Sequence, residues 1–376
     1  MLPAIPGTFG RLTAVFASAL GAISGVDNRL NLRPARRVIC VLVDGLGSQN
    51  LKAAAGHAPF LNQAMARTKP ISCGFPTTTA TSITSFGTGV SAGVHGLVGY
   101  KLFDRTAQVA FNLLNGWDSV RTPEAWQTQQ TVSERAINAG VGSFFIGPKA
   151  YEGSEFTRAT MRGAKYLPAK GIDDRFEAAA RLLRTEKSDF LAYLYVPELD
   201  QTAHALGVAS GKWLQDLEDL DASVRNLAAA LGKHDALLVT ADHGVLDVPA
   251  NQHIYLDEFG LDWSRVANVS GDPRVNFVYL HDANEAEQVA SELQIGLGDK
   301  ALALTRAQVV AAGWYPNITD ATLRRLPEVF ALATKNVALY HREYAPAASL
   351  NMIGQHGALS SVELSVPLLG WGAFGA

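Results

Sequence analysis

The sequence predicts an α/β fold in which a mostly parallel central sheet carries helices on both faces and a smaller α+β cap subdomain is inserted. Three observations lead to this fold class. Short apolar runs alternate with stretches of helical periodicity, as in βαβ units. The first runs are apolar throughout, which is typical of strands buried on both faces. After residue 247 the runs become shorter and alternate in polarity, as in an α+β unit.

The predicted elements follow in chain order. Strands are expected at residues 36–47, 140–147, 189–200 and 235–244, and helices at residues 49–67 and 212–231. In the cap we expect strands at residues 275–280, 301–305 and 329–340 and a helix at residues 284–293, before the chain returns to the core at residues 354–372. This order predicts a catalytic core of residues 1–247 and 341–376 and a cap of residues 248–340. The 376 residues suffice for both units.

Composition and charge exclude several classes of protein. An apolar fraction of 48% with 18% charged residues excludes a disordered chain. The net charge is −3 and there is no basic run, so we expect no nucleic-acid polymer as a partner. No run of 18 uncharged apolar residues is present, so we expect no membrane association. Residues 12–25 fit either an opening helix or an export signal; we expect a cytoplasmic protein and leave export as the alternative.

Polar residues with ligand or nucleophile chemistry follow several of the apolar runs. Asp44 ends the first strand, and a run of threonines and serines begins at Thr77 and leads into a helical stretch. Asp200 and His204 stand four residues apart, which places them on one face of a helix. The adjacent pair Asp242 and His243 follows another strand, and His356 is isolated. Because carboxyl ends of parallel strands share one edge of a sheet, this inventory of nitrogen and oxygen ligands indicates a di-metal hydrolase.

The order of these motifs resembles the alkaline phosphatase superfamily and, within it, the nucleotide pyrophosphatase/phosphodiesterase family. The resemblance covers residues 36–244 and 354–376 and rests on the ordered set rather than on a single motif: DG, then FPTTTATS, TG and HG, then Asp-xxx-His, then ADHG and a late HG. It implies an alkaline phosphatase-like core. It also implies an enzyme that hydrolyses phosphoric diester or pyrophosphate bonds through a phosphothreonine intermediate.

The resemblance also implies two zinc ions about 4 Å apart, with manganese as the alternative metal. One ion would be held beside the nucleophile, and the other ion would lie next to it. The nucleophile is Thr79, because the family spacing puts it ten residues before the glycine of the Thr-Gly pair, here Gly89. Ser82 stands where the family often has an asparagine that contacts the phosphoryl group. The implied ligands are Asp44, Thr79, Asp242 and His243 for one ion and Asp200, His204 and His356 for the other.

The substrate is expected to be a small phosphate ester, with a nucleotide as one candidate. Arg158 and Arg162 are spaced four apart, and a pair of guanidinium groups on one helix face suits a clamp on phosphate or carboxylate. Within the superfamily a phosphomonoesterase, a phosphonate hydrolase and a manganese-dependent phosphosugar mutase remain as alternatives. A non-catalytic binding protein is disfavoured, because decay would have removed ligands that are all present.

Overall fold

The structure is a computed structural model that describes residues 11–375. Over this range the strands are β1 (Arg37–Val43), β2 (Ile71–Ser72), β3 (Lys101–Asp104), β4 (Val109–Asn112), β5 (Gly142–Gly147), β6 (Lys165–Pro168), β7 (Phe190–Val196), β8 (Asp235–Ala241), β9 (Leu246–Asp247), β10 (His253–Tyr255), β11 (Val266–Asp272), β12 (Val275–Leu280), β13 (Ala301–Thr305), β14 (Val329–Ala333), β15 (Ala338–Tyr340), β16 (Gly354–Gln355), β17 (Ser365–Val366) and β18 (Leu368–Gly372). The α-helices are α1 (Leu12–Ser24), α2 (Ser48–Ala53), α3 (Pro59–Met65), α4 (Thr79–Thr88), α5 (Ala92–His95), α6 (Pro123–Trp126), α7 (Val132–Asn138), α8 (Glu155–Met161), α9 (Ile172–Thr185), α10 (Glu198–Leu206), α11 (Gly211–Ala229), α12 (Ala286–Leu297), α13 (Arg306–Ala311), α14 (Asp320–Arg325) and α15 (Ser361–Leu364).

The central sheet has six strands in the order β18, β8, β1, β7, β5, β6. Strands β8, β1, β7, β5 and β6 run parallel to one another, and the edge strand β18 runs antiparallel to β8. Every residue of β7 and β8 is buried, as uninterrupted apolar runs predict for strands covered on both faces. The mostly parallel α/β sheet is therefore confirmed.

Two groups of helices cover the sheet. Helices α1, α4, α7 and α8 pack on one another, and helices α3, α9, α10 and α11 form the second group. Strand β7 contacts α1 of the first group and α9 of the second, and β5 contacts α7 and α9. Because each of these strands contacts a helix of both groups, the groups lie on opposite faces, and the core forms between them and the sheet.

Several predicted elements have other boundaries in the structure: the strands expected at residues 36–47 and 235–244 end at Val43 and Ala241, and three further elements are interrupted. The expected helix at residues 49–67 is divided into α2 and α3, which are separated by a turn around Gly56. The expected strand at residues 189–200 ends at Val196, since Pro197 interrupts the strand and precedes α10. The expected strand at residues 329–340 is divided into β14 and β15 by a short loop. Each difference follows from a local break that hydrophobic periodicity does not register.

The segment between the core motifs contains a four-stranded antiparallel sheet in the order β11, β12, β14, β13. One side of this sheet packs on α12, and the buried side chains there include Val278 and Leu293. On the other side, Phe277 and Phe330 share a cluster with Phe75 and Leu97 from the chain that flanks α4. This shared cluster joins the antiparallel sheet to the chain that leads into and out of α4. The boundary between core and cap at residues 248 and 340 stays a prediction.

The first described helix, α1, packs against α4 and β1 and buries Val15 and Phe16 completely. The segment that fitted either an opening helix or an export signal is thus helical and part of the core, while its cellular compartment stays a prediction. Among the described helices, none combines the length and the apolar character needed to cross a membrane.

Candidate metal centre

The first group of predicted site residues meets where β1, β8 and α4 converge. Asp44 and Asp242 directly follow β1 and β8, which pair in parallel with Val43 opposite Ala241, so both carboxylates leave the same sheet edge. The His243 Nε2 atom lies 3.4 Å from Asp44 Oδ1 and 3.5 Å from Asp242 Oδ2. Thr79, the first residue of α4, places its Oγ1 3.2 Å from His243 Nε2 and 3.4 Å from Asp44 Oδ1.

The second group is Asp200, His204 and His356. Helix α10 carries the first two on one face, as their spacing predicts, and His204 Nε2 lies 3.1 Å from Asp200 Oδ2. His356 Nε2 lies 3.8 Å from Asp200 Oδ1. The Nδ1 atoms of His204 and His356 donate to the carbonyls of Gly354 (2.7 Å) and Thr77 (2.8 Å). These hydrogen bonds fix the rings so that each Nε2 faces the Asp200 carboxylate, and backbone partners orient metal-ligating histidines in the same way.

The two groups form one centre. The rings of His243 and His356 stack with centroids 3.7 Å apart. Ligand atoms of Asp44, Asp200 and His243 lie within 4.8 Å of one another, as do those of Asp200, His204 and His356. Gly45 allows this approach: it has φ +74°, and a Cβ there would lie 3.0 Å from the Cβ of Asp200.

The donor set fits divalent cations. Among residues 11–375, Asp200 Oδ1 and Asp242 Oδ2 are buried and have no hydrogen-bond donor. Buried carboxylate oxygens without donors are costly unless a cation neutralises them. Three carboxylates and three imidazoles supply the oxygen and nitrogen ligands that zinc and manganese accept. The residues thus suit metal ions at the positions where the sequence predicts them.

The electrostatics of the protein groups alone also favour a positive charge at this centre. Burial raises the pKa of Asp44 well above its usual range, and the negative charge of Asp242 adds to this. Burial likewise raises the pKa of Asp242 to about 7. Burial also acts to raise the pKa of Asp200, but the neighbouring His204 imidazole outweighs it and lowers that pKa. Burial lowers the pKa of His243, which keeps its ring neutral and able to bind a cation.

Three other predicted site residues are absent from the wall of the cavity that opens on this centre. Ser82 is completely buried within α4. Arg158 Nε lies 3.3 Å from Glu124 Oε1, and Arg162 Nε lies 3.3 Å from Glu134 Oε1. Arg162 also donates to the carbonyl of Gln129 at 2.8 Å. Neither arginine lines the cavity described next, and their role as a substrate clamp stays a prediction.

A cavity of about 370 Å³ opens on the metal centre. Its wall includes two residues that the sequence analysis did not single out as site residues. The hydroxyl of Tyr195 donates to Asp44 Oδ2, because β7 lies beside β1 with Tyr195 opposite Leu42. Asp272, at the end of β11, accepts a hydrogen bond from Thr78 at 3.2 Å. Tyr195 belonged to an apolar run and Asp272 to an Asp-Pro turn, so neither carried a motif signal.

The chain is similar in sequence to known phosphodiesterases. The family model for type I phosphodiesterase / nucleotide pyrophosphatase matches residues 38–359. The venom phosphodiesterase of Macrovipera lebetinus is 23% identical over 217 residues, which are 56% of this chain and 24% of the relative. Venom phosphodiesterase 2 of Crotalus adamanteus is 22% identical over 217 residues, 56% of this chain and 25% of the relative. The chain thus matches about a quarter of the length of these curated relatives.

Solved structures share the fold. Murine ectonucleotide pyrophosphatase / phosphodiesterase 5 aligns with a TM-score of 0.69 and 20% identity, covering 89% of this chain and 88% of the other. A phosphonoacetate hydrolase of Sinorhizobium meliloti aligns with a TM-score of 0.69 and 18% identity, covering 90% and 91%. At these identities the likeness concerns the fold alone. Since the family model spans most of the chain, the chain belongs to the type I phosphodiesterase / nucleotide pyrophosphatase family.

Proposed function

We propose that this protein is a metal-dependent phosphodiesterase or nucleotide pyrophosphatase that uses two divalent ions, zinc with manganese as the alternative, and passes through a phosphothreonine intermediate. The observation that carries the proposal is the position of the Thr79 hydroxyl. It lies beside Asp44 and His243, at the start of α4 and on the wall of the cavity. A hydroxyl at a helix N-terminus faces amides that stabilise phosphoryl oxygens.

Two divalent ions held by the six ligands would lower the pKa of a nearby hydroxyl and withdraw charge from the phosphoryl oxygens. Thr79 Oγ1 gives up its proton to solvent and attacks phosphorus; a bond forms between them, and the ester bond on the far side breaks with its electron pair going to the departing oxygen. Water then attacks phosphorus, breaks its bond to Thr79, and the threonine regains a proton. The Ala80 amide, one residue into α4, is suited to hold a non-bridging oxygen during both steps.

The substrate is a small phosphate ester, and a nucleotide is one candidate. An inactive variant of murine ectonucleotide pyrophosphatase / phosphodiesterase 5 has been solved in complex with AMP. The cavity beside Thr79 is lined by tyrosines such as Tyr100, Tyr340 and Tyr344 together with aliphatic side chains. Aromatic rings with a few polar groups are the usual lining of sites for organic ligands of this size.

The proposal is tested by metal analysis of the purified protein together with turnover of bis(p-nitrophenyl) phosphate and p-nitrophenyl phosphate. About two zinc ions per chain and a preference for the diester support it. A preference for the monoester would identify a phosphomonoesterase, and manganese without diester turnover would favour the mutase alternative. Release of phosphate from phosphonoacetate, with neither ester cleaved, would identify a phosphonate hydrolase.

A matched pair of histidine variants ties the activity to the centre. His356→Gln removes a ligand whose Nε2 faces Asp200, so we expect loss of one bound ion and of diester turnover. His281→Gln makes the same chemical change at an exposed histidine outside the cavity and should change neither quantity. Equal metal content and equal turnover in both variants would contradict the assignment of His356.

A further inference from the structure

One part of the cavity wall carries buried acceptor oxygens that the metal centre does not use. Asp272 and Asn276, on the hairpin formed by β11 and β12, are each 5% exposed and line the cavity. Asp272 Oδ2 has no hydrogen-bond partner within residues 11–375. Asn276 donates through Nδ2 to the carbonyls of Asp272 (2.7 Å) and Leu339 (3.2 Å), while its Oδ1 has no partner within the same range.

The lysine and the arginine close to this pair are engaged elsewhere, and the His204 imidazole, whose charge also acts on Asp272, pairs with Asp200 at 3.1 Å. Lys101, which also lines the cavity, donates to the carbonyl of Tyr344 at 3.3 Å. Arg274, two residues after Asp272, is buried and forms an ion pair with Glu363 at 3.0 Å. Neither side chain supplies Asp272 with a countercharge. A buried carboxylate is stable when a cation or several donors accompany it, so this position suits a positively charged donor from a ligand.

The pair lies close to the position of the reacting phosphate. Asp272 Oδ1 accepts a hydrogen bond from Thr78, the residue before the proposed nucleophile Thr79, and both Asp272 and Thr79 line the same cavity. A substituent on a phosphate at Thr79 could therefore reach Asp272 through a short spacer. Tyr100 and Tyr340 add aromatic surface to this cavity, which suits the carbon atoms of the spacer.

We propose that Asp272 and Asn276 bind a protonated primary amine on one ester substituent, so that the preferred substrates are phosphodiesters of an amino alcohol. This inference rests on the proposed function. An ammonium group provides a positive charge to pair with the Asp272 carboxylate. It also provides N–H groups that can donate hydrogen bonds to the two unpaired oxygens, Asp272 Oδ2 and Asn276 Oδ1. An aliphatic group of the same size would leave both oxygens buried and unpaired, and such a mismatch discriminates between substrates.

The test uses two diesters that differ only in this group: p-nitrophenyl 2-aminoethyl phosphate and p-nitrophenyl propyl phosphate. With zinc-loaded, full-length protein, release of p-nitrophenolate gives kcat/KM for each, and the ratio of the two values is the readout. We expect the wild-type protein to favour the aminoethyl ester by about 10- to 100-fold, the size expected for hydrogen bonds to a charged group. The Asp272→Asn variant should bring the ratio close to one.

Asp299→Asn is the matched control, since it makes the same change at an exposed carboxylate in the segment of the antiparallel sheet and outside the cavity, and it should keep the wild-type ratio. If Asp272 only supports Thr78, Asp272→Asn lowers both rates and leaves the ratio unchanged, which overturns the proposal. A wild-type ratio near one also overturns it, whether or not the variant folds. Failure of the proposed function is distinct, because then neither ester is cleaved by the wild-type protein.

Discussion

Replacing Thr79 with alanine removes the proposed nucleophile and keeps the six carboxylate and imidazole ligands. Removal of a covalent nucleophile costs at least about a thousandfold in turnover. The effect on the free energy of unfolding should be small. The Thr79 hydroxyl lies 3.2 Å and 3.4 Å from its neighbours, longer than a strong O–H hydrogen bond, so its loss costs about 1 kcal/mol or less.

The assay combines zinc content, urea unfolding and turnover of bis(p-nitrophenyl) phosphate. Thr81→Ala is the matched control, because Thr81 is 2% exposed and its hydroxyl has no partner in the described range, residues 11–375; it should keep its turnover. Thr78→Ala tests the register, since Thr78 precedes α4. An inactive Thr78→Ala with an active Thr79→Ala would shift the nucleophile by one residue. Full activity in all three variants would refute the covalent mechanism.

Three further predictions concern metal, pH and the buried ion pair. Chelation should abolish diester turnover, and adding zinc back should restore it; turnover unaffected by complete metal removal would contradict the two-ion centre. Burial raises the folded-state pKa of Asp242 to about 7, above an unfolded value of about 3.9. Between about pH 4 and about pH 7 the Asp242 carboxyl therefore holds a proton in the folded, chelator-treated protein that it loses on unfolding. The free energy of unfolding, relative to that of Asp242→Asn, should fall as the pH rises through this range. Thermal unfolding of both proteins measures the difference, and a difference that does not change with pH would contradict the prediction. Glu363→Ala should lower the free energy of unfolding, measured in urea, by about 3–5 kcal/mol, because it leaves the buried Arg274 without its carboxylate partner. Glu258→Ala breaks an exposed ion pair with Arg342 and should lower it by about 1 kcal/mol or less.

The sequence was most informative where the signal is local. The uninterrupted apolar runs around Val41 and Val239 predicted parallel strands buried on both faces, and β1 and β8 have this environment. The spacing of Asp200 and His204 predicted that both lie on one helix face, and α10 places them there. Hydrophobic periodicity and covalent spacing are properties of a few neighbouring residues, so they can be read without knowing what packs against them.

The sequence was less informative where breaks or long-range contacts decide the outcome. It predicted one helix at residues 49–67, which the structure divides into α2 and α3. Arg158 and Arg162 have a spacing that suits a clamp, but each pairs with a glutamate that lies more than 25 residues away in the chain. The acidic groups that folding places beside a pair of arginines affect whether the pair can bind a ligand. Local spacing in the sequence does not show those contacts.

The sequence by itself determined the parallel α/β sheet and the residue types of the candidate metal centre. Only the tertiary structure decided how those residues meet. His356 follows Asp200 by more than 150 residues, yet its Nε2 lies 3.8 Å from the Asp200 carboxylate, because the carbonyl of Thr77 orients its ring. The cavity wall at Asp272 likewise exists only after the antiparallel sheet has packed beside α4. The sequence shows which residue types could act as ligands, but the cavity forms only when segments distant in sequence pack together.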